Sequence, residues 1–410
     1  MPKQQKTGFA LSVVTTVFFM WGFVTVLNDI LVPHLKALFD LNYTQTMLIQ
    51  FTFFSAYFLM ATPSSRILAR IGYQMSIVLG LAVMGLGALM FVPAASLASY
   101  PFFLAALWVL ASGITLLQVA ANPYVAQLGP PEKGSSRLNL AQAFNSLGTT
   151  IAPYLGGILI LSDSAKTADA SAVKLPYIGI ALTLFILAGA ISRFRLPALP
   201  DIEESHGIGK DDSVWKHRHL VLGAVGIFLY VGAEVSIGSF LVNYFSQPYI
   251  GGMTERVAAG YVSFYWGGAM VGRFIGSAVL QKASPGKVLG CAALVASALV
   301  WTSVATTGSV AMWSIILVGM FNSVMFPTIF TLGVADLGHL TAKGSGLLIM
   351  AIVGGALLPV LQGKMADTPA IGLHMAFIMP ALCYLYIVYY GFVGSKVLRH
   401  ANATREIGAA

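Results

Sequence analysis

Two carboxylates stand where a carboxylate is costly. Of the fifteen Asp and Glu residues, Asp29 and Glu234 lie well inside long apolar stretches, while most others fall in polar connectors or near the ends of apolar runs. An acid held in hydrocarbon costs several kcal/mol, so it faces a cavity or a partner and often serves transport or proton relay. Trp21, Thr25 and Asp29 recur every four residues, which on a helix puts an aromatic plate, a hydroxyl and an acid on one face, with Asn28 beside the acid. Such a face suits a sugar. The competing reading is structural: Asp29 caps a helix end, or either acid holds a packing hydrogen bond.

Amides form a second layer. Gln118 and Asn122 are four apart, Asn139, Gln142 and Asn145 are three apart, and Asn322 lies in a later apolar run. An amide both donates and accepts, as a hydroxyl does, and adds no charge, so the set fits a neutral polyol; amides are also ordinary interhelical glue in membranes. Trp21, Tyr57 and Trp266 are candidate cavity walls on which a sugar ring could stack. Cys291 and Cys383 lie in apolar runs without metal-ligand spacing or a neighbouring His and read as buried thiols. No nucleophile elbow, HExxH motif, phosphate loop or His pair at ligand spacing occurs. Neither an enzyme nor a cofactor is expected, and the one candidate ion is a coupling proton or a sodium near Asp29 or Glu234.

The elements that must position these groups follow from composition. The 410 residues are 57% hydrophobic and 9% charged, where a soluble domain has about 25% charged residues. Runs such as SIVLGLAVMGLGALMFV are apolar all round and call for lipid. The net charge of +8 comes from basic residues scattered between apolar runs, the pattern of membrane insertion and not of a nucleic-acid stripe. At about 20 residues per crossing, twelve spans read at 9–33, 45–69, 75–96, 101–126, 139–161, 175–197, 217–246, 256–281, 287–308, 311–336, 342–363 and 371–395. The first follows Lys3 and Lys6 but is too long for a signal-peptide core.

The polar connector from Pro197 to Trp215, with DIEES, Asp211 and Asp212, divides the chain into six spans over 1–197, a linker over 198–215 and six spans over 216–410. With both termini cytoplasmic, eighteen of the 23 Lys and Arg fall on that side, Arg273 counted among them, and five fall on the other. That is strong positive-inside asymmetry. The halves also echo each other: Pro123 in AANPYVAQLG precedes Pro153 by 30 residues, Pro327 in VMFPTIFTLG precedes Pro359 by 32, and ARIGYQMS has its counterpart in QKASPGKV. Parallel repeats of this kind are a common plan of secondary transporters. Two isolated acids do not make the ring of equivalent groups a channel filter needs.

WGFVTVLNDIL, LLQVAANPY, SSRLNLAQAFNSLGTTIAP, YVGAEVSIGSFLVNY and NSVMFPTIFTLG, spread from the first span to the tenth, resemble the major facilitator superfamily and, within it, the fucose, galactose and glucose symporter family. The basic turn after the second span keeps Arg66, Arg70 and Gly72 without the superfamily's usual acid. The resemblance implies an all-α membrane protein of twelve transmembrane helices in two pseudo-symmetric six-helix lobes, in a bacterial-type inner membrane, working as a monomer. It also implies cation-coupled hexose uptake by alternating access. In the fucose branch the LNDIL aspartate and a span-4 glutamate form the acidic pair; Asp29 matches the first, and Gln118 stands at the second. LLQVAANPY with Glu234 looks like the glucose and galactose branch, which implies that the second acid has moved to the other half. The rival reading is an exporter of drugs or other amphipathic molecules on the same fold.

Overall fold

In lipid every backbone N–H and C=O must be satisfied within its own segment, so apolar runs of this length fold as helices. The computed structural model describes residues 2–39, 43–160, 174–194, 196–197 and 213–397, with positions 2–7, 27–38, 43–47, 153–160 and 255 described by backbone alone. Among the described residues there is no strand. The helices before the polar connector are α1 (Pro2–Leu38), α2 (Tyr43–Ser96), α3 (Tyr100–Gln127), α4 (Gly134–Ile160) and α5 (Lys174–Arg193). After it come α6 (Arg218–Phe245), α7 (Glu255–Val279), α8 (Pro285–Ala305), α9 (Gly308–Asn322), α10 (Met325–Gly333), α11 (Thr341–Met350), α12 (Gly354–Asp367), α13 (Gly372–Ala376) and α14 (Ile378–Tyr389).

Nine stretches among the described residues are long and apolar enough to cross a membrane, so the chain is an all-α, multi-spanning membrane protein. α4 and α7 are not among the nine. α4 carries Gln142 and Asn145, and α7 carries Arg273, polar groups that line the interior cavities.

Several elements differ from the sequence reading. The spans read at 45–69 and 75–96 run on as α2, bent at Gly72, whose φ of 75° and ψ of 174° are open only to glycine. The span read at 311–336 is two helices, because Pro327 has no N–H for the carbonyl four residues back, that of Ser323, and α9 stops at Asn322. The span read at 342–363 is interrupted by a 3-10 turn at Ala351–Val353. Cys383 is buried as expected, but Cys291 is exposed on α8, where lipid accepts a thiol.

α1 packs on α4, and α2 on α3 and α5; α6 packs on α10, α12 and α14, and α9 on α7 and α8. Helices from either side of the polar connector also meet, α4 against α7 and α10, and α2 and α3 against α11. α1 and α4 come close enough for the site because of two glycines. A Cβ on Gly22 would overlap the Asn145 carbonyl, and one on Gly148 would overlap the Phe19 carbonyl.

Candidate functional site

Between the helices lies a cavity of about 240 Å³. Helices before the connector supply Trp21, Thr25, Tyr57, Gln118, Gln142, Asn145 and Thr149 to it; those after it supply Tyr230, Glu234, Arg273, Phe326 and Ile352. One wall is therefore aromatic and amide, neutral throughout, while the other brings a carboxylate and a guanidinium. A second cavity of about 550 Å³ adjoins it, and Asn145, Thr149, Glu234 and Arg273 line both. Those four form the partition between an inner pocket and a wider vestibule.

The neutral wall is tightly organised. The Tyr57 hydroxyl accepts from Gln118 Nε2 at 2.7 Å, which fixes the amide beside the aromatic plate of Trp21. The Tyr57 O–H is then left to donate elsewhere. Thr25 Oγ1 donates back to the Trp21 carbonyl at 2.9 Å, the usual resting place of a hydroxyl on a helix. Asn145 Nδ2 donates to the Phe18 carbonyl at 2.9 Å, which the close approach at Gly22 and Gly148 permits.

On the charged wall, Tyr230 donates to Glu234 Oε1 at 2.7 Å from one turn earlier on α6. Arg273 lines the same two cavities as Glu234; its Nη1 donates to Ser146 Oγ on α4, and its Nε reaches the Ser323 carbonyl at 3.4 Å. That carbonyl is the one Pro327 releases from helix pairing. Pro123 releases the carbonyl of Val119 in the same way, and Ser345 Oγ on α11 donates to it at 2.8 Å. Both repeat-related prolines thus free a carbonyl for a partner outside the helix.

One end of the assembly is sealed by polar contacts across the connector. Ser136 Oγ donates to the Ser277 carbonyl at 2.7 Å and Ser277 Oγ to the Ser136 carbonyl at 3.0 Å, and Ser135 and Thr331 share a hydroxyl bond of 2.5 Å. These residues sit where α4 begins, where α7 ends and near the end of α10. The vestibule lies toward the other end, lined by Thr150 of α4 and by Ala259 and Val262 near the start of α7.

Of the residues singled out by sequence, Trp21, Thr25, Gln118, Gln142, Asn145 and Glu234 meet in the inner pocket, with Tyr57, and Trp266 lines the vestibule. Asn122, Asn139 and Asn322 line neither cavity. Asn322 is buried and donates to the Tyr265 hydroxyl at 2.8 Å, and Asn139 donates to the Ser135 carbonyl at 2.9 Å and Thr328 Oγ1 at 3.4 Å. Both serve packing in this conformation, and Asn122 is wholly buried. α1 runs through Asn28 and Asp29, whose side chains lie outside the described residues. Sequence reasoning missed Arg273 as a site residue, counting it with the cytoplasmic-side charges although it falls in the span read at 256–281; it stands inside α7, and its setting in the apolar run GGAMVGRFIGSAV was the available signal.

The sequence pattern described as Major Facilitator Superfamily matches residues 10–359. The chain belongs to that superfamily. The Glucose/galactose transporter of Brucella abortus biovar 1 (strain 9-941) is 55% identical over 396 residues, 96% of each chain, and the L-fucose-proton symporter of Escherichia coli (strain K12) is 34% identical over 91% of this chain and 90% of its own. Among solved structures, the crystal structure of the superfamily transporter FucP in the outward conformation matches with a TM-score of 0.86 at 33% identity, covering 94% of this chain and 98% of that one. Within the superfamily this chain is thus a member of the glucose, galactose and fucose symporter family, a family of transporters and not of enzymes.

Proposed function

We propose that the chain is a secondary active sugar transporter that takes up a neutral hexose with a coupling cation by alternating access. The observation that carries this reading is the inner pocket itself, where a neutral wall of Trp21, Tyr57, Gln118, Gln142 and Asn145 faces Glu234 and Arg273. Aromatic faces and amides match a sugar's apolar ring faces and its hydroxyls, while the acid gives the cation a place to act. Relatives named for glucose, galactose and L-fucose agree with that chemistry. An exporter of amphipathic compounds would want an apolar lining instead.

Glu234, with Asp29, is the proposed coupling group, and Asn28, Asn122, Asn139, Trp266 and Asn322 are proposed to meet the sugar at other stages of the cycle. Between proton and sodium we favour the proton at Glu234. Its described neighbours there, the Tyr230 hydroxyl and Arg273, are donors or cations, and a hard metal cation wants a shell of oxygen acceptors.

Twelve spans follow from the nine apolar stretches once α4 and α7 are added and α2 is divided at Gly72. We place them as lobes over 1–197 and 216–410 joined by 198–215, in a bacterial inner membrane with both termini cytoplasmic, acting as a monomer. Labelled hexose uptake into proteoliposomes, with proton and sodium gradients imposed separately on wild type, Asp29→Asn and Glu234→Gln, tests the reading. Accumulation under the proton gradient alone, lost in each variant, is the expected result. No hexose movement under either gradient sinks it, and dye efflux in its place would install the exporter.

A further inference from the structure

An apolar channel of about 460 Å³ runs between α7 and α8 on the outer surface of the second half. Its floor is the end of α9, which packs on both helices. α7 lines it with Gly272, Ile275, Gly276 and Val279, a spacing of three and four that keeps one helix face in line. α8 lines it with Val288, Cys291, Ala292 and Val295 in the same rhythm, which carries the channel about 10 Å along that helix. A Cβ on Gly272 would overlap the Met320 carbonyl and one on Gly276 the Val324 side chain, so α7 lies hard against the floor.

At one end the channel is closed by the turn over 280–284, and there the chemistry changes. Lys287 lines the channel, and Lys282 stands beside Ala283, which lines it too. Both lysines are exposed, and among the described residues neither has a hydrogen bond or an ion pair. No acid occurs from 280 to 287, so the two positive charges stand uncompensated on the turn. Gln281 and Ser284, exposed in the same turn, place it in the polar layer of the bilayer, at the end where Ser277 closes the two halves on each other. A lysine stem lies along apolar surface while its ammonium reaches that layer, and basic pockets between membrane helices take anionic lipid headgroups.

We propose that the channel seats one acyl chain of an anionic phospholipid whose phosphate is held by Lys287 and Lys282. The apolar flanks take the chain, and two unpaired cations over one end select a net-negative headgroup over a zwitterionic one. A second copy of this chain, related by a two-fold axis along the membrane normal, would set the same lysines against each other. Ser323 and Val324, at the break between α9 and α10, lie on the floor, and α10 carries Phe326 from that break into the inner pocket. The seated chain thus backs the break from the lipid side.

Delipidated protein in detergent is titrated with phosphatidylglycerol, phosphatidylethanolamine and inorganic phosphate, and bound adducts are counted by native mass spectrometry. Wild type, Lys282→Gln/Lys287→Gln and Cys291→Trp are compared, with monodispersity checked for each. Cys291 is exposed on α8, so the indole fills the channel without entering the core. Wild type should take its first phosphatidylglycerol at least about tenfold tighter than phosphatidylethanolamine. Loss of the lysines should weaken phosphatidylglycerol by about fivefold for each charge removed and leave phosphatidylethanolamine where it was. Cys291→Trp should weaken both lipids, because it removes the seat of the chain.

Equal affinity for the two lipids overturns the proposal, as does a preference for phosphatidylglycerol that survives the lysine changes, or wild-type affinity in Cys291→Trp. Inorganic phosphate bound as tightly as phosphatidylglycerol would make the lysines a free-anion site with no chain beside it, and a dimer that Cys291→Trp disperses would give the channel to a second copy. Either result also overturns it. If Cys291→Trp is not monodisperse, Val295→Trp, exposed on the same flank, takes its place, and the lysine variant, altered only at exposed side chains, decides the headgroup in any case. None of these readouts involves sugar, so the result stands apart from the transport reading.

Discussion

Replacing Tyr57 by Phe removes a single oxygen on which the neutral wall is organised. That oxygen accepts from Gln118 Nε2 at 2.7 Å, and Tyr57 and Gln118 are both almost wholly buried. A buried donor left unpaired costs about 1–3 kcal/mol. The Gln118 amide loses its acceptor, so about 1.4 kcal/mol, or tenfold in KM, is the reasoned expectation. Gln118→Ala removes the same bond from the other side and should cost a similar amount. Because the two changes break one interaction, the double variant Tyr57→Phe/Gln118→Ala should raise KM little beyond the larger single effect, a coupling of about 1 kcal/mol. Counterflow KM measures all three, with intrinsic Trp fluorescence on sugar addition reporting whether Trp21 still responds. If Tyr57→Phe stays within about twofold of wild type, or the two effects simply add, the Tyr57 hydroxyl does not organise the site.

Other outcomes follow from the same geometry. Gly148→Leu should push α1 from α4 through the Phe19 carbonyl and destabilise the protein by about 1–3 kcal/mol, seen as a lowered melting temperature in detergent. Ser136→Ala combined with Ser277→Ala removes the reciprocal bonds at the sealed end. At about 1 kcal/mol each, their loss should make a cysteine placed at Val334, buried at that end, react faster with a membrane-impermeant maleimide. Asn145→Asp replaces a donor by an acid facing the Phe18 carbonyl and should raise counterflow KM at least about tenfold, with a loss no larger than twofold marking Asn145 as dispensable.

The sequence made Glu234 conspicuous because a lone acid in an apolar helix has few reasons to be there, and it lines both cavities. Helical spacing also grouped Gln118 with Asn122, yet only Gln118 reaches the pocket. A shared face says which side of a helix two residues occupy and nothing about how far along it the cavity extends. Arg273 escaped because a count of basic residues sorts charges by side of the membrane and has no place for one held inside it. The break between α9 and α10 was hidden by hydropathy, which runs on through it; Pro327 was visible, but that its freed carbonyl would meet an arginine depends on a partner 50 residues away in sequence.

The charge inside α7 bears on how the molecule is made. An arginine at a helix centre costs about 2.5–3.5 kcal/mol on insertion scales, and Arg273, in the last third of α7, brings part of that penalty. The contacts of α7 are with α4 and α6, synthesised before it, and with α9, synthesised after. Membrane integration of α7 thus depends on helices already waiting in the bilayer, and a defect in α4 should surface first as a failure of biogenesis, before any sugar is offered.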